Sequence, residues 1–175
     1  MVGVGDTPPD FARPAVRDGS AARFELFRAV DAREAVVLLF YPADFVPTCT
    51  AALAAVREAD WADHPDLTVV GIREDSLFAA FAYADEFDLP FPLVADFSAQ
   101  VAESYDLLAT DWEAHPRVPR RAAVVIDRDW TVRFREATRD ALDRTHPAPV
   151  ENAAAAVRDL GIDVSRPRVN YDGPW

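Results

Sequence analysis

The run Ala35-Val36-Val37-Leu38-Leu39-Phe40-Tyr41, closed by Pro42 and followed by Ala43-Asp44-Phe45-Val46-Pro47-Thr48-Cys49-Thr50, decides the architecture. A continuous apolar stretch of this length, rich in β-branched residues, reads as a strand buried on both faces. Such a strand lies inside a sheet that helices cover on both sides. Pro42 ends it, and a short loop leads into a helix expected from about Thr48 to Asp63. Cys49, Leu53 and Val56 then fall at i, i+4 and i+7, which places the thiol in the first helical turn on the core-facing side.

Outward from this unit the same alternation recurs. A second buried strand is expected at Leu67 to Ile72, a helix from Ser76 to Phe87, a strand around Phe91 to Val94 and a helix from Ser98 to Leu107. Strands return at Ala122 to Ile126 and Thr131 to Phe134, joined by the turn Asp127-Arg128-Asp129, and a last helix spans Val150 to Leu160. Upstream, Arg23 to Phe27 alternates charged and apolar residues as a short strand does, while Gly3 to Phe11, rich in Pro and Gly, reads as an extended lead-in. The fold class is α/β, a mixed central sheet flanked by helices. Residues 1 to 165 are expected to form one domain, and 166 to 175 an irregular C-terminal tail.

With 175 residues, half of them hydrophobic, the chain can bury a core without staples. Its one cysteine excludes an intramolecular disulfide, a C-x-x-C redox pair and a thiolate zinc cluster. His64, His115 and His146 each precede a proline, so they belong in turns and not at the i, i+4 spacing of a helical metal pair. No metal site is expected. The N-terminus lacks a basic segment before an apolar run, and no stretch approaches the roughly 18 apolar residues of a membrane span, so a soluble, cytoplasmic protein without a membrane partner is expected. Net charge is −12, and all 18 basic residues are arginine. Phosphate binding needs a basic surface, so a nucleic-acid partner is disfavoured. A dense carboxylate surface whose self-repulsion salt screens fits a halophilic source, the alternative being simply an acidic protein from a GC-rich genome.

A thiol in the first turn of a helix faces unsatisfied backbone N–H groups and the positive end of the helix dipole. Both favour the thiolate, which is the nucleophilic form. Without that context a lone cysteine is a small buried hydrophobe.

The stretch Phe40-Tyr41-Pro42-Ala43-Asp44-Phe45-Val46-Pro47-Thr48-Cys49-Thr50 resembles the active-site loop of the peroxiredoxins, the alkyl hydroperoxide reductase and thiol-specific antioxidant type. The resemblance continues in order through Gly5 to Phe11, Val69-Val70-Gly71-Ile72 with Asp75-Ser76, Leu89-Pro90-Phe91-Pro92-Leu93-Val94-Ala95-Asp96, and Arg121 to Asp127. In style it is similar to the bacterioferritin comigratory protein group. It implies a thioredoxin-like fold and a thiol-dependent peroxidase acting on hydrogen peroxide or alkyl hydroperoxides. Cys49 would be the peroxidatic cysteine, Arg121 the guanidinium that holds thiolate and peroxide, and Pro42 a shield against water. Tyr41, Val46 and Thr48 would border the peroxide. No cofactor is implied.

Two positions depart from the family pattern. Val46 stands where a Thr or Ser hydroxyl is usual, and Ala52 where a glutamate is usual, so a slow peroxidase is expected. Ala54 occupies the position where one subgroup keeps a resolving cysteine. The Cys49 sulfenic acid would therefore be reduced by an external thiol or a thioredoxin-like protein, in a monomer or homodimer. The alternative is a non-catalytic thioredoxin-fold module that binds a partner or senses oxidation.

Overall fold

In the computed structural model, which describes residues 1–109, 112, 114–140 and 142–175, the chain opens with an antiparallel hairpin of β1 (Ala12–Arg17) and β2 (Ser20–Glu25). The expected strand at Arg23 to Phe27 therefore starts earlier and stops at Glu25. Leu26 and Val30 are buried on one side of a short helix, α1 (Leu26–Ala32), which the charge alternation conceals. β1 escapes the pattern because Arg13 and Pro14 interrupt it, and most of β2 is exposed.

The chain continues as β3 (Ala35–Tyr41), α2 (Pro47–Glu58), a 3-10 turn at Trp61–Asp63, β4 (Leu67–Arg73), α3 (Leu77–Glu86), β5 (Leu93–Ala95) and α4 (Gln100–Ser104). A two-residue pair, β6 (Leu108–Ala109) and β7 (Val118–Pro119), precedes β8 (Ala122–Asp127), β9 (Val132–Ala137) and α5 (Pro149–Asp159). The helix expected to run to Asp63 breaks where Asp60 enters the left-handed region at φ 56°. That break swings Trp61 fully into the core, where its Nε1 donates to the carbonyl of Ser165 at 2.7 Å. α4 likewise occupies only the middle of the expected Ser98 to Leu107, since Ala99 and Asp106 also take positive φ.

Among the described residues the main sheet has seven strands in the order β2-β1-β5-β4-β3-β8-β9. β3 runs parallel to β4 and antiparallel to β8, so the sheet is mixed, as the alternation of strands and helices implies. Every residue of β3 is buried. Its side chains sort by parity into two cores. Ala35, Val37, Leu39 and Tyr41 join Cys49, Leu53 and Val56 of α2 and Ala153, Ala154 and Val157 of α5, whereas Val36, Leu38 and Phe40 join Leu26 and Val30 of α1 and Val101 of α4.

This parity brings the site together. Phe40 pairs with Ala122, so Tyr41 and Arg121, one residue beyond each, sit side by side at the same end of neighbouring strands. Arg121 shares the parity of Ala123 and Val125, which face the α2 core. Gly71 on the adjacent strand leaves room for this layer, because a Cβ there would lie 2.8 Å from Leu93 Cδ2 and 3.2 Å from the Tyr41 ring.

The loop between β3 and α2 is tied down by a buried ion pair. Arg73, at the end of β4, donates from Nε to Asp44 Oδ1 at 3.0 Å and from Nη2 to Oδ2 at 3.1 Å, and both side chains are fully buried. Its remaining donors reach the carbonyls of Val94 at 2.9 Å, Ser76 at 2.8 Å and Asp75 at 3.3 Å. Tyr41 Oη donates to Asp44 Oδ1 at 3.1 Å. Asp44→Ala would leave this guanidinium buried without its counter-charge. It is expected to cost about 3–5 kcal/mol of stability in urea unfolding, and a loss below about 1 kcal/mol would show that the pair does not hold the loop.

Candidate active site

Cys49 is the third residue of α2. Its backbone N–H and that of Thr50 both donate to the carbonyl of Val46, the N-cap, at 2.9 Å. Pro47 at the first helical position has no N–H to leave unsatisfied. Just before the cap, Phe45 adopts φ 63° and packs at a tilt against Tyr83 and Phe87, with centroids 5.0 and 6.1 Å away. Thr50 Oγ1 lies 2.8 Å from Tyr83 Oη, which ties the first turn of α2 to α3.

The thiol is 1% exposed. Burial pushes it up to about 12, and the Arg121 charge and a hydrogen bond from the Thr48 side chain offset only part of that rise, while the Asp44 carboxylate adds to it. In this closed arrangement the resting sulfur is protonated at neutral pH, although it sits where a helix start favours the thiolate. Tyr41, also buried, has its phenol raised well above the usual range, chiefly by desolvation and then by Asp44.

Arg121 is 4% exposed and reaches the site from the start of β8. Its Nη1 donates to the carbonyl of Thr48 at 3.0 Å, and its Nη2 donates to the carbonyl of Asp143. Thr138 N–H donates to the Arg121 carbonyl at 2.8 Å, which fixes the backbone from β9. Arg121 Nε has no acceptor among the described residues. Arg121 and Cys49 border the same small cavity, about 30 Å³, walled by Tyr41, Ala52, Leu53, Ala148 and Val150.

The site residues expected from sequence are thus brought together unevenly. Cys49, Arg121 and Tyr41 line the cavity, and Thr48 contacts both the sulfur and the guanidinium. Pro42 is buried directly after Tyr41 but is not part of the cavity wall. Val46 is a partly buried N-cap that also lies off the wall, whereas the hydroxyl partner of the sulfur is Thr48. Ala52 presents a methyl group to the cavity.

Sequence reading misses two supports. The Asp44–Arg73 pair was signalled only by an arginine closing an otherwise apolar strand. Tyr171, whose ring lies 5.5 Å from the Arg121 guanidinium carbon, is 50 positions away in an irregular segment, with no periodic signal at all. Tyr171 and Trp175 pack within their own chain, so the tail lies against the core it follows.

Comparison with known proteins places this geometry. The AhpC/TSA family model matches residues 4–135. The chain is 31% identical over 135 residues to a chloroplastic 2-cysteine peroxiredoxin of Chattonella marina var. antiqua, covering 72% of this chain and 66% of that protein. It is 30% identical over 138 residues to a chloroplastic peroxiredoxin Q of Triticum aestivum, covering 76% and 58% respectively. The chain thus spans about three fifths of the length of such relatives. In three dimensions it superposes on the peroxidoxin BcpB of Mycobacterium tuberculosis with a TM-score of 0.73 at 24% identity, covering 92% of this chain and 97% of that one. Reduced 2-Cys peroxiredoxin of Plasmodium vivax gives the same TM-score and identity, with coverage of 90% and 94%. Helix α2 carrying a buried cysteine beside the arginine that directly precedes β8, on a thioredoxin-like mixed sheet, belongs to a chain that is a member of the AhpC/TSA family of peroxiredoxins.

Proposed function

We propose that the protein is a thiol-dependent peroxidase that works through Cys49 alone, and slowly. The observation that carries this reading is the shared cavity lined by both Cys49 and Arg121, whose buried Nε has no acceptor among the described residues. Its volume of about 30 Å³ suits a molecule near the size of water, which favours hydrogen peroxide over bulky hydroperoxides. The Cys49 thiolate attacks one peroxide oxygen, an S–O bond forms, the O–O bond breaks, and the departing oxygen leaves with the electron pair and takes a proton. Arg121 stabilises the charge that builds on that oxygen. The product is a Cys49 sulfenic acid. An external thiol condenses with it, releasing water and forming a mixed disulfide, and a second thiol returns Cys49 to its reduced state.

Pro42, buried directly after Tyr41, would help keep bulk water from the sulfur. The mostly apolar lining and the missing carboxylate at Ala52 support the slow rate, as does the raised thiol. That same raised thiol favours a second reading, a redox-responsive module that oxidises too slowly to turn over. In the first reading the chain resembles the bacterioferritin comigratory group in acting as a monomer or homodimer. It would serve in a salt-rich cytoplasm, which the lysine-free, acidic surface suits.

Cys49→Ser is expected to abolish peroxide consumption with dithiothreitol as reductant, because a serine hydroxyl stays protonated and unreactive here. Arg121→Lys should lose most of the rate, since a point charge cannot serve sulfur and oxygen together. Unchanged turnover in Cys49→Ser would rule out the peroxidase.

Position 48 and position 46 compete for the hydroxyl role. A hydrogen bond to a charged sulfur is worth about 1.5–3 kcal/mol, so Thr48→Val should slow Cys49 oxidation about ten- to a hundredfold in stopped-flow measurements. Val46→Thr should change the rate by less than about threefold, and the reverse ranking would return the role to position 46.

The pH dependence follows from burial. Below a thiol pKa near 12, the thiolate fraction grows about tenfold for each pH unit. The rate constant for oxidation of Cys49 by hydrogen peroxide should therefore climb steadily from about pH 7 to about pH 10. A plateau reached by about pH 8 would mean that the reactive state holds a far more acidic thiol.

A further inference from the structure

Arg121 is a buried cation whose acceptors are two carbonyls and one phenol oxygen. Its two η nitrogens donate to Thr48 and Asp143, and no carboxylate lies within ion-pair distance of it among the described residues. Carbonyls orient a guanidinium but do not neutralise it. The ring centroid of Tyr171 lies 5.5 Å from the guanidinium carbon, and its hydroxyl lies 3.5 Å from Nη1.

We propose that Tyr171, supplied by the C-terminal segment, is a positioning residue for Arg121, its aromatic face holding the guanidinium against the Cys49 turn without neutralising it. This rests on the peroxidase reading for its consequence, though not for its geometry. A carboxylate in the same place would compete with the thiolate for the arginine charge. An aromatic face attracts the cation through its quadrupole and leaves that charge directed at the sulfur, and it gains strength in a desolvated setting.

The ring itself is built in. Tyr171 is 5% exposed, its hydroxyl donates to the carbonyl of Thr145 at 2.9 Å, and the His146 ring meets it edge-on with centroids 4.9 Å apart. His146 Nδ1 in turn lies 3.6 Å from Glu151 Oε2. The segment that carries Tyr171 is fastened on both flanks. Val169 N–H donates to Glu151 Oε1 at 3.3 Å, and Arg144 pairs with Asp172 at 2.8 Å.

The test replaces Tyr171 in the full chain and follows two rates on Cys49, oxidation by hydrogen peroxide and alkylation by iodoacetamide. Tyr171→Leu should slow both about five- to thirtyfold, while Tyr171→Phe, which keeps the face, stays within about threefold of the parent. Phenylalanines of increasing ring fluorination at position 171 keep the shape and drain the face, so the rates should fall stepwise at constant Tm. In an Arg121→Lys background, Tyr171→Leu should add less than about a twofold loss. Trp175→Leu, which loosens the segment without touching Arg121, should lower Tm and leave both rates unchanged. A flat fluorination series, or an undiminished Tyr171→Leu loss in the Arg121→Lys background, overturns the proposal. If peroxide oxidises the parent no faster than a free thiol, the peroxidase reading fails, and the alkylation series still decides the role of Tyr171.

Discussion

The buried pair of Asp44 and Arg73 is the constraint on which the site depends. Taking two charges out of water is expensive, and such a pair seldom stabilises a fold more than well-packed apolar residues would. What it provides is position. Arg73 uses its planar fork on both carboxylate oxygens and spends its remaining donors on three carbonyls of neighbouring segments. The loop from Pro42 to Val46 is thereby attached to β4, β5 and the start of α3 at once. Cys49 hangs from that loop through the hydrogen bonds to Val46. A lysine could not make these five bonds, so a basic repertoire made wholly of arginine suits this use.

Two opposing effects then meet at the sulfur. The helix start, Arg121 and the Thr48 hydroxyl pull toward the thiolate, and burial among alanine, leucine and valine side chains pushes toward the thiol. In the closed structure burial wins. The site therefore combines a cysteine placed at a helix start beside an arginine with the ionisation of a core cysteine. This balance depends on a single guanidinium whose supports come from four parts of the chain: the first turn of α2, Thr138 just after β9, the segment around Asp143, and the C-terminal segment bearing Tyr171.

The surface obeys a different rule. Its arginines form exposed pairs such as Arg117 with Glu103, Arg128 with Glu34 and Arg144 with Asp172. Each such pair contributes little to stability, and they leave the net charge at −12. Carboxylates dominate the exterior, and the two arginines that organise the interior, Arg73 and Arg121, are withdrawn from it.

Local pattern was enough for β3, β4, β8, α2, α3 and α5, because each carries an apolar run or a helical stripe long enough to exceed its neighbours. The first-turn position of Cys49 followed from the same spacing, as did the pairing of a thiol with Arg121 once the resemblance to the peroxiredoxins was read from residues 40 to 50 and 121 to 127. The β1–β2 hairpin and α1 stayed hidden, since half-exposed strands and a seven-residue helix stabilised by packing leave weak periodicity. Which hydroxyl meets the sulfur is not decided by register: Val46, the N-cap, carries none, and the Thr48 side chain hydrogen-bonds the sulfur. Tertiary structure alone decided that the thiol is sealed from water, that Asp44 finds Arg73, and that Tyr171 lies on Arg121. Burial and the meeting of distant side chains are properties of how elements pack, and no stretch of sequence carries them by itself.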